Sequence, residues 1–287
     1  MPIKAPILLL THGGGPMPLL NDPSQADITH SLRTVVASHL EKASPSAILL
    51  ITAHWEEQQT KVSSGPTPDL YYDYYGFPPE AYTFKYPAPG SPTLAHQIIT
   101  LLQHHGIHAT ADTTRGWDHG VFVPMLLARP QADIPIIQMS VLASQSPTEL
   151  FALGQALSSL RDQNIAIIGS GSASFHSFRN FGKATDQAFQ NLHAQWSKKL
   201  DKAMRLSTAE ERFAALKEWK DWEGSQMMHP PGHAEHFSPA IVCAGAAGDL
   251  LDEEGDSGDG SDGNRGVDAW TDRMMGFAMQ NWIWRTA

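Results

Sequence analysis

Two apolar runs of this sequence end in histidine: Ile7-Leu8-Leu9-Leu10-Thr11-His12 and Ile48-Leu49-Leu50-Ile51-Thr52-Ala53-His54. Imidazole is a common transition-metal ligand. In open α/β sheets, ligands bind beyond the carboxyl ends of the strands. If these two strands are parallel neighbours, both rings converge on one pocket. Gly13, Gly14 and Gly15 follow the first histidine and would let the backbone approach a ligand closely. A third cluster, His229-Pro230-Pro231-Gly232-His233-Ala234-Glu235-His236, packs three imidazoles and a carboxylate into eight residues. A histidine and carboxylate set with open positions suits non-heme Fe(II) oxygen chemistry. The same set could hold zinc in a hydrolase.

Two further histidines stand in telling surroundings. His119 lies in Trp117-Asp118-His119-Gly120, and His176 follows the turn Gly169-Ser170-Gly171-Ser172 at the end of another apolar run. Either could work as a neutral acid/base near a metal. The glycine-serine turn lacks the lysine and spacing of a P-loop, and Ser170 and Ser172 form no Gly-x-Ser-x-Gly elbow. His30, His39, His96, His104, His105, His108 and His193 read as surface or structural residues. Cys243, in the apolar Ile241–Ala244 stretch, reads as a buried structural thiol.

Short apolar runs must place these groups. Pro6–Thr11, Ala47–Ala53, Ile134–Val141 and Ile165–Gly169 predict central strands covered on both faces. Amphipathic stretches lie between them. Gln25–Lys42 carries one apolar stripe, and Lys183–Arg205 ends in basic residues. Ser146-Pro147-Thr148-Glu149 and Thr208-Ala209-Glu210-Glu211 read as capping-box starts, and Ala240–Ala247 as an apolar helix. This alternation predicts one α/β domain over residues 1–287, its sheet largely parallel or mixed, with helices on both faces. The aromatic stretch Gly65–Pro92 predicts a long ordered loop suited to covering a site. An acidic segment at about 252–266 lacks apolar anchors and EF-hand spacing, and predicts a flexible solvated loop.

The net charge of −10 argues against nucleic-acid and anionic-membrane partners. With one cysteine there is no intrachain disulfide. The apolar start Met1–Leu10 is too short for a signal-peptide core, and no run approaches the roughly 18 residues of a membrane span. The expectation is a cytoplasmic protein, monomeric or homodimeric.

Read in order, Thr11-His12-Gly13-Gly14-Gly15-Pro16, Thr52-Ala53-His54-Trp55, Gly116-Trp117-Asp118-His119-Gly120 with Pro124, Gly169-Ser170-Gly171, and Glu235-His236-Phe237 with Pro239 resemble the class III extradiol dioxygenases. The resemblance runs from about residue 6 to about 285 and is greatest to the 4,5-DOPA extradiol dioxygenase branch. Tyr72-Asp73-Tyr74-Tyr75-Gly76-Phe77-Pro78 is similar to a segment of the same family. The resemblance implies a catechol substrate, dioxygen, and Fe(II) for activity, with Zn(II) as another occupant of the isolated protein. It implies His12, His54 and His236 as metal ligands, His176 as the catalytic imidazole and His119 as a second pocket histidine. The His-Pro segment is lengthened by His233, which keeps His233 and Glu235 open as third ligands. Two other readings of the same residues are a zinc-dependent hydrolase with Glu235 as base and a non-catalytic metal-binding or interaction protein.

Overall fold

The computed structural model describes residues 4–250 and 266–285. The acidic segment of 252–266 lies, but for Gly266, outside the described residues. The strands are β1 (Ile7–Thr11), β2 (Ala47–Glu57), β3 (Thr60–Ser63), β4 (Ala109–Asp112), β5 (Ile136–Leu142), β6 (Ile165–Gly171), β7 (Val267–Met274) and β8 (Phe277–Trp284). They form one sheet in the order β4-β3-β5-β2-β6-β1-β8-β7. Its centre is parallel: β6 pairs with β1 on one side and β2 on the other, and β2 pairs with β5. Antiparallel pairing joins β1 to β8, β8 to β7, and β3 to β5. The sheet is therefore mixed.

The helices are α1 (Ala26–Ser31), α2 (Ala37–Ala43), α3 (Pro92–His104), α4 (His119–Ala128), α5 (Pro147–Leu157), α6 (Gln187–Met204), α7 (Ala209–Leu216), α8 (Ser225–Met228) and α9 (Ser238–Ala246). A π-helical turn, Leu32–Val36, joins α1 to α2, so the expected helix over Gln25–Lys42 is continuous but wider in its middle. Every residue of β1 and β6 is buried, as is β2 up to Ala53. Successive side chains point to opposite faces, so both faces of the centre are covered. Helices α4 and α9 both pack on β2 and β6.

Caps fix where several helices begin. Thr208 and Glu211 close a full capping box on α7. Ser146 caps α5 with its own hydroxyl, but the reciprocal half is missing because the Glu149 carboxylate accepts from Ser144 instead. Helix α6 starts at Gln187, not Lys183, because the Asp186 carboxylate takes the N–H groups of Ala188 and Phe189. The far end of α9 is held by two buried arginines. Arg161 donates to Ala247 O, and Arg212 donates to Ala244 O and Gly248 O.

The hairpin of β7 and β8 had no counterpart in the sequence reading. Its turn, Met275-Gly276, has φ of 51° and 89°, the two positive values that a tight two-residue hairpin needs. Among the described residues, no helix is long and apolar enough to cross a membrane.

Candidate metal centre

The three parallel strands β1, β6 and β2 end at the same edge of the sheet, and the histidines gather there. His12 follows β1 directly. It does not neighbour the strand of His54, since β6 runs between them. His54 does not end its strand either. The β2–β5 register shifts between Ile51 and Glu56, and His54 sits in that irregularity. An irregularity of this kind re-aims a side chain, and here it turns His54 toward His12. The Thr52 hydroxyl fixes the bend by accepting the His54 N–H at 3.1 Å and donating to Asp118 Oδ1 at 2.8 Å. His236 arrives from the segment before α9.

One ring nitrogen from each of His12, His54 and His236 lies within 4.8 Å of the other two. The outer nitrogens have oxygen partners. Pro124 lacks the N–H that would bond Gly120 O four residues earlier in α4. That carbonyl instead accepts the Ser170 hydroxyl at 2.5 Å. The hydroxyl must therefore accept from His12 Nδ1, 2.9 Å away, which leaves the lone pair on Nε2. Glu235 Oε1 lies 2.9 Å from His236 Nδ1 and sets the same tautomer there. Asp73 Oδ2 stands 3.5 Å from His54 Nδ1. The inward Nε2 atoms of His12 and His54 are 3.0 Å apart. Nitrogens that close share either a proton, one ring donating to the other, or a metal ion. The spacing is near that of adjacent nitrogen ligands at about 2.1 Å from one ion. This donor set fits a metal whose imidazole ligands each face an oxygen at the outer ring nitrogen.

Electrostatics agree with neutral rings. Burial holds His12, His54 and His236 well below the ordinary imidazole range, and neighbouring histidines lower them further. Burial first, then His119 and His233, brings His176 down to about 4. Glu235 is raised, mainly by burial.

The remaining candidates separate clearly. His176 stacks on His236 and lies 3.6 Å from Glu235 Oε1. His119 opens α4, its ring 3.8 Å from that of His54 between centroids. Of the two alternative third ligands, His233 is exposed, and Glu235 faces the outer nitrogen of His236. His229 is buried behind the centre, where its Nε2 donates to Ala173 O at 2.9 Å. The Gly65–Pro92 stretch, up to the start of α3 at Pro92, is irregular apart from a bridge of Leu70 to Trp117 and one short 3-10 turn, Pro79–Tyr82, and brings Tyr74 to 6.0 Å from His119. Gly13 and Gly15 adopt positive φ, and a Cβ at Gly13 would meet Pro18 Cγ at 2.5 Å, so the turn itself demands glycine.

Sequence reasoning missed three polar supports. Asp73 stands among aromatic residues, where no local pattern gives it a role, although a lone carboxylate in such a run needs a partner. Asp118, fully buried, accepts from Thr52, Gln138 and Arg115. Ser170 was weighed as a nucleophile, not as a ligand support.

Comparison with known proteins agrees with this architecture. Residues 6–266 match the family described as the catalytic LigB subunit of aromatic ring-opening dioxygenase. The chain is 45% identical to dioxygenase tasH of Hapsidospora irregularis over 257 residues, covering 85% of this chain and 78% of that protein. It is 39% identical to a 4,5-DOPA dioxygenase extradiol of Beta vulgaris over 210 residues, 71% of this chain and 74% of the relative. The Escherichia coli K12 protein named 4,5-DOPA dioxygenase extradiol is 30% identical over 244 residues, 85% of each. A crystal structure of an uncharacterized E. coli K12 protein superposes with a TM-score of 0.70 at 25% identity, covering 98% of this chain and 99% of that one. With the fold, the histidine cluster and these relatives in agreement, the chain belongs to the class III extradiol dioxygenases, the family of the LigB catalytic subunit, and is an aromatic ring-opening dioxygenase.

Proposed function

We propose that the chain cleaves a catechol by extradiol chemistry at a single Fe(II) ion, with His12, His54 and His236 as its ligands. The observation that carries this reading is the convergence of three neutral imidazoles, their outer nitrogens facing Ser170, Asp73 and Glu235. When bound, the ion supplies a chelation point for both catechol oxygens and a meeting place for dioxygen and the electron-rich ring. His176, neutral at physiological pH, takes a proton from the catechol and later returns it to oxygen. His119 would hold a hydroxyl of the catechol ring by a hydrogen bond. Tyr74, Phe77 and Tyr82, from the aromatic stretch, wall one side and exclude water. Phe178 stands edge-on to His176 at 5.1 Å and remains 82% exposed, so it is placed to cover the substrate ring.

Anaerobic loading with Fe(II), followed by a panel of catechols and then air, tests the reading. A coloured ring-fission product is expected. A Zn(II)-loaded protein should be silent in that assay. Ester or amide hydrolysis by the zinc form would favour the hydrolase alternative, with Glu235 as base. Stoichiometric metal without turnover on any catechol would mean a binding protein on this fold.

A further inference from the structure

We infer that Asp73 is a positioning residue that orients two imidazoles of the centre at once, His54 and His119. The inference rests on the metal-centre reading above and assigns a structural task to a residue outside the ligand set. Asp73 Oδ1 accepts from the His119 ring Nδ1 at 2.8 Å and from the His119 backbone N–H at 3.0 Å. Its other oxygen, Oδ2, faces His54 Nδ1 at 3.5 Å. One carboxylate thus accepts hydrogen bonds from the pocket histidine and stands within ion-pair distance of the outer nitrogen of a proposed ligand. Because it accepts at His119 Nδ1, it leaves the lone pair of that ring on Nε2, in a ring that stands 5.2 Å from the His12 ring and perpendicular to it.

The contact also starts a helix. Asp118 precedes α4, yet its carboxylate caps no N–H there and is spent on Thr52, Gln138 and Arg115. Asp73 supplies the missing acceptor from another part of the chain and fixes the backbone at the residue that carries the pocket imidazole.

Asp73 can do this because its own backbone is pinned on both sides. Upstream, Tyr71 N–H donates to Trp117 O at 2.7 Å, and Trp117 N–H donates to Asp69 O at 2.9 Å. The flanking tyrosines are tied to the second half of the stretch, with Tyr72 hydroxyl on Phe84 O and Tyr74 hydroxyl on Ala81 O. The aromatic stretch is therefore part of the scaffold of the centre as well as its wall. Burial alone would raise Asp73, but the His119 hydrogen bonds and the two histidines hold it below the ordinary carboxylate value, so it stays an acceptor at neutral pH.

Asp73→Asn and Asp73→Ala test this. Asparagine keeps an oxygen for His119 but turns an N–H toward the N–H of His54, a donor facing a donor. Zn(II) affinity, measured by chelator competition, is expected to fall ten- to a hundredfold in both variants. The maximal rate of the iron enzyme should drop by a comparable factor, with a smaller change in KM. Addition of His119→Ala to Asp73→Asn should leave the zinc loss in place and add little further loss of rate. A folded Asp73 variant with wild-type zinc affinity, or with wild-type rate, overturns the assignment. Failure of both variants to fold also overturns it, by making Asp73 a purely structural residue. His54→Ala run in parallel separates the two readings. If it too keeps full zinc affinity, the metal centre itself has been misread; if it loses zinc while Asp73→Asn does not, only the Asp73 role falls.

Discussion

The imidazole of His176 lies flat on that of His236, ring centroids 3.4 Å apart and planes 14° from parallel. Stacking puts His176 beside a proposed ligand without adding it to the group formed with His12 and His54. His176→Ala is therefore expected to keep its iron and bind catechol. Its maximal rate should fall by about 10²–10⁴, roughly 3–5 kcal/mol of barrier, with little change in KM. Metal analysis and steady-state kinetics on one preparation check this. An iron-free variant would make His176 a ligand, and a fully active one would pass the proton to His119.

Replacement of His12, His54 or His236 by alanine should abolish stoichiometric metal. His233→Ala should retain it, since that ring is exposed. Glu235→Gln should still bind metal but about 10–100-fold more weakly, because it loses the charge that supports His236 Nδ1. Metal stoichiometry across the five variants decides between the three candidate third ligands.

Phe178→Ala should leave stability within about 0.5 kcal/mol, because the side chain is largely in solvent. KM for catechols should rise several-fold with the maximal rate unchanged, the pattern of lost uniform binding. A wild-type KM would remove Phe178 from substrate contact.

Stability should fall in acid through two buried histidines outside the proposed ligand set. Burial holds His193 down to about 4, and burial holds His229, despite its bond to Ala173 O, down to about 3. Both values lie below the ordinary value of about 6.5, so between these limits the unfolded chain binds more protons than the folded one. Their contribution is complete above about pH 6.5 and is lost as pH drops toward the folded values, with a slope of up to about 1.4 kcal/mol per unit for each group. Urea midpoints from pH 7 to 4.5 should fall, and more gently in His193→Asn. An unchanged slope in that variant would show that His193 does not titrate on unfolding.

Helices α5 and α9 touch through glycines. A Cβ at Gly154 would stand 2.0 Å from Val242 O, and one at Gly245 would stand 2.3 Å from Phe151 O. Gly154→Ala should cost about 1–3 kcal/mol by overpacking. It should also disturb the metal centre by shifting α9, which begins two residues after His236. Thermal unfolding with zinc titration reads both effects.

Much of this centre was legible because strand ends announce themselves. The apolar runs before His12 and His54 and the turn before His176 are local signals, and each residue stands near the edge they implied. What lay hidden was long-range. Nothing local to β1 or β2 says that β6 separates them, and nothing in Thr52–Trp55 marks the register shift that turns His54. Asp73 sits in a stretch with no period, so its direction follows from contacts its neighbours make with Trp117, distant in sequence, and with Phe84 and Ala81, later in the same stretch. The β7–β8 hairpin was missed because its turn is Met-Gly, outside the usual Asn-Gly or Asp-Gly signal.

The pairing of β1 with β8 has a consequence in time. The strand that delivers His12 precedes both of its neighbours in the chain, one at residues 165–171 and the other at 277–284. A growing polypeptide thus carries the apolar β1 without a partner until β6 has been made, and with one edge still open until β8 has, a situation that slows folding and invites association with other nascent chains. The proposed ligand set of His12, His54 and His236 cannot assemble before residue 236 has been made, and an assistant that shields β1 during synthesis should raise the yield of active protein more than it changes the activity per molecule.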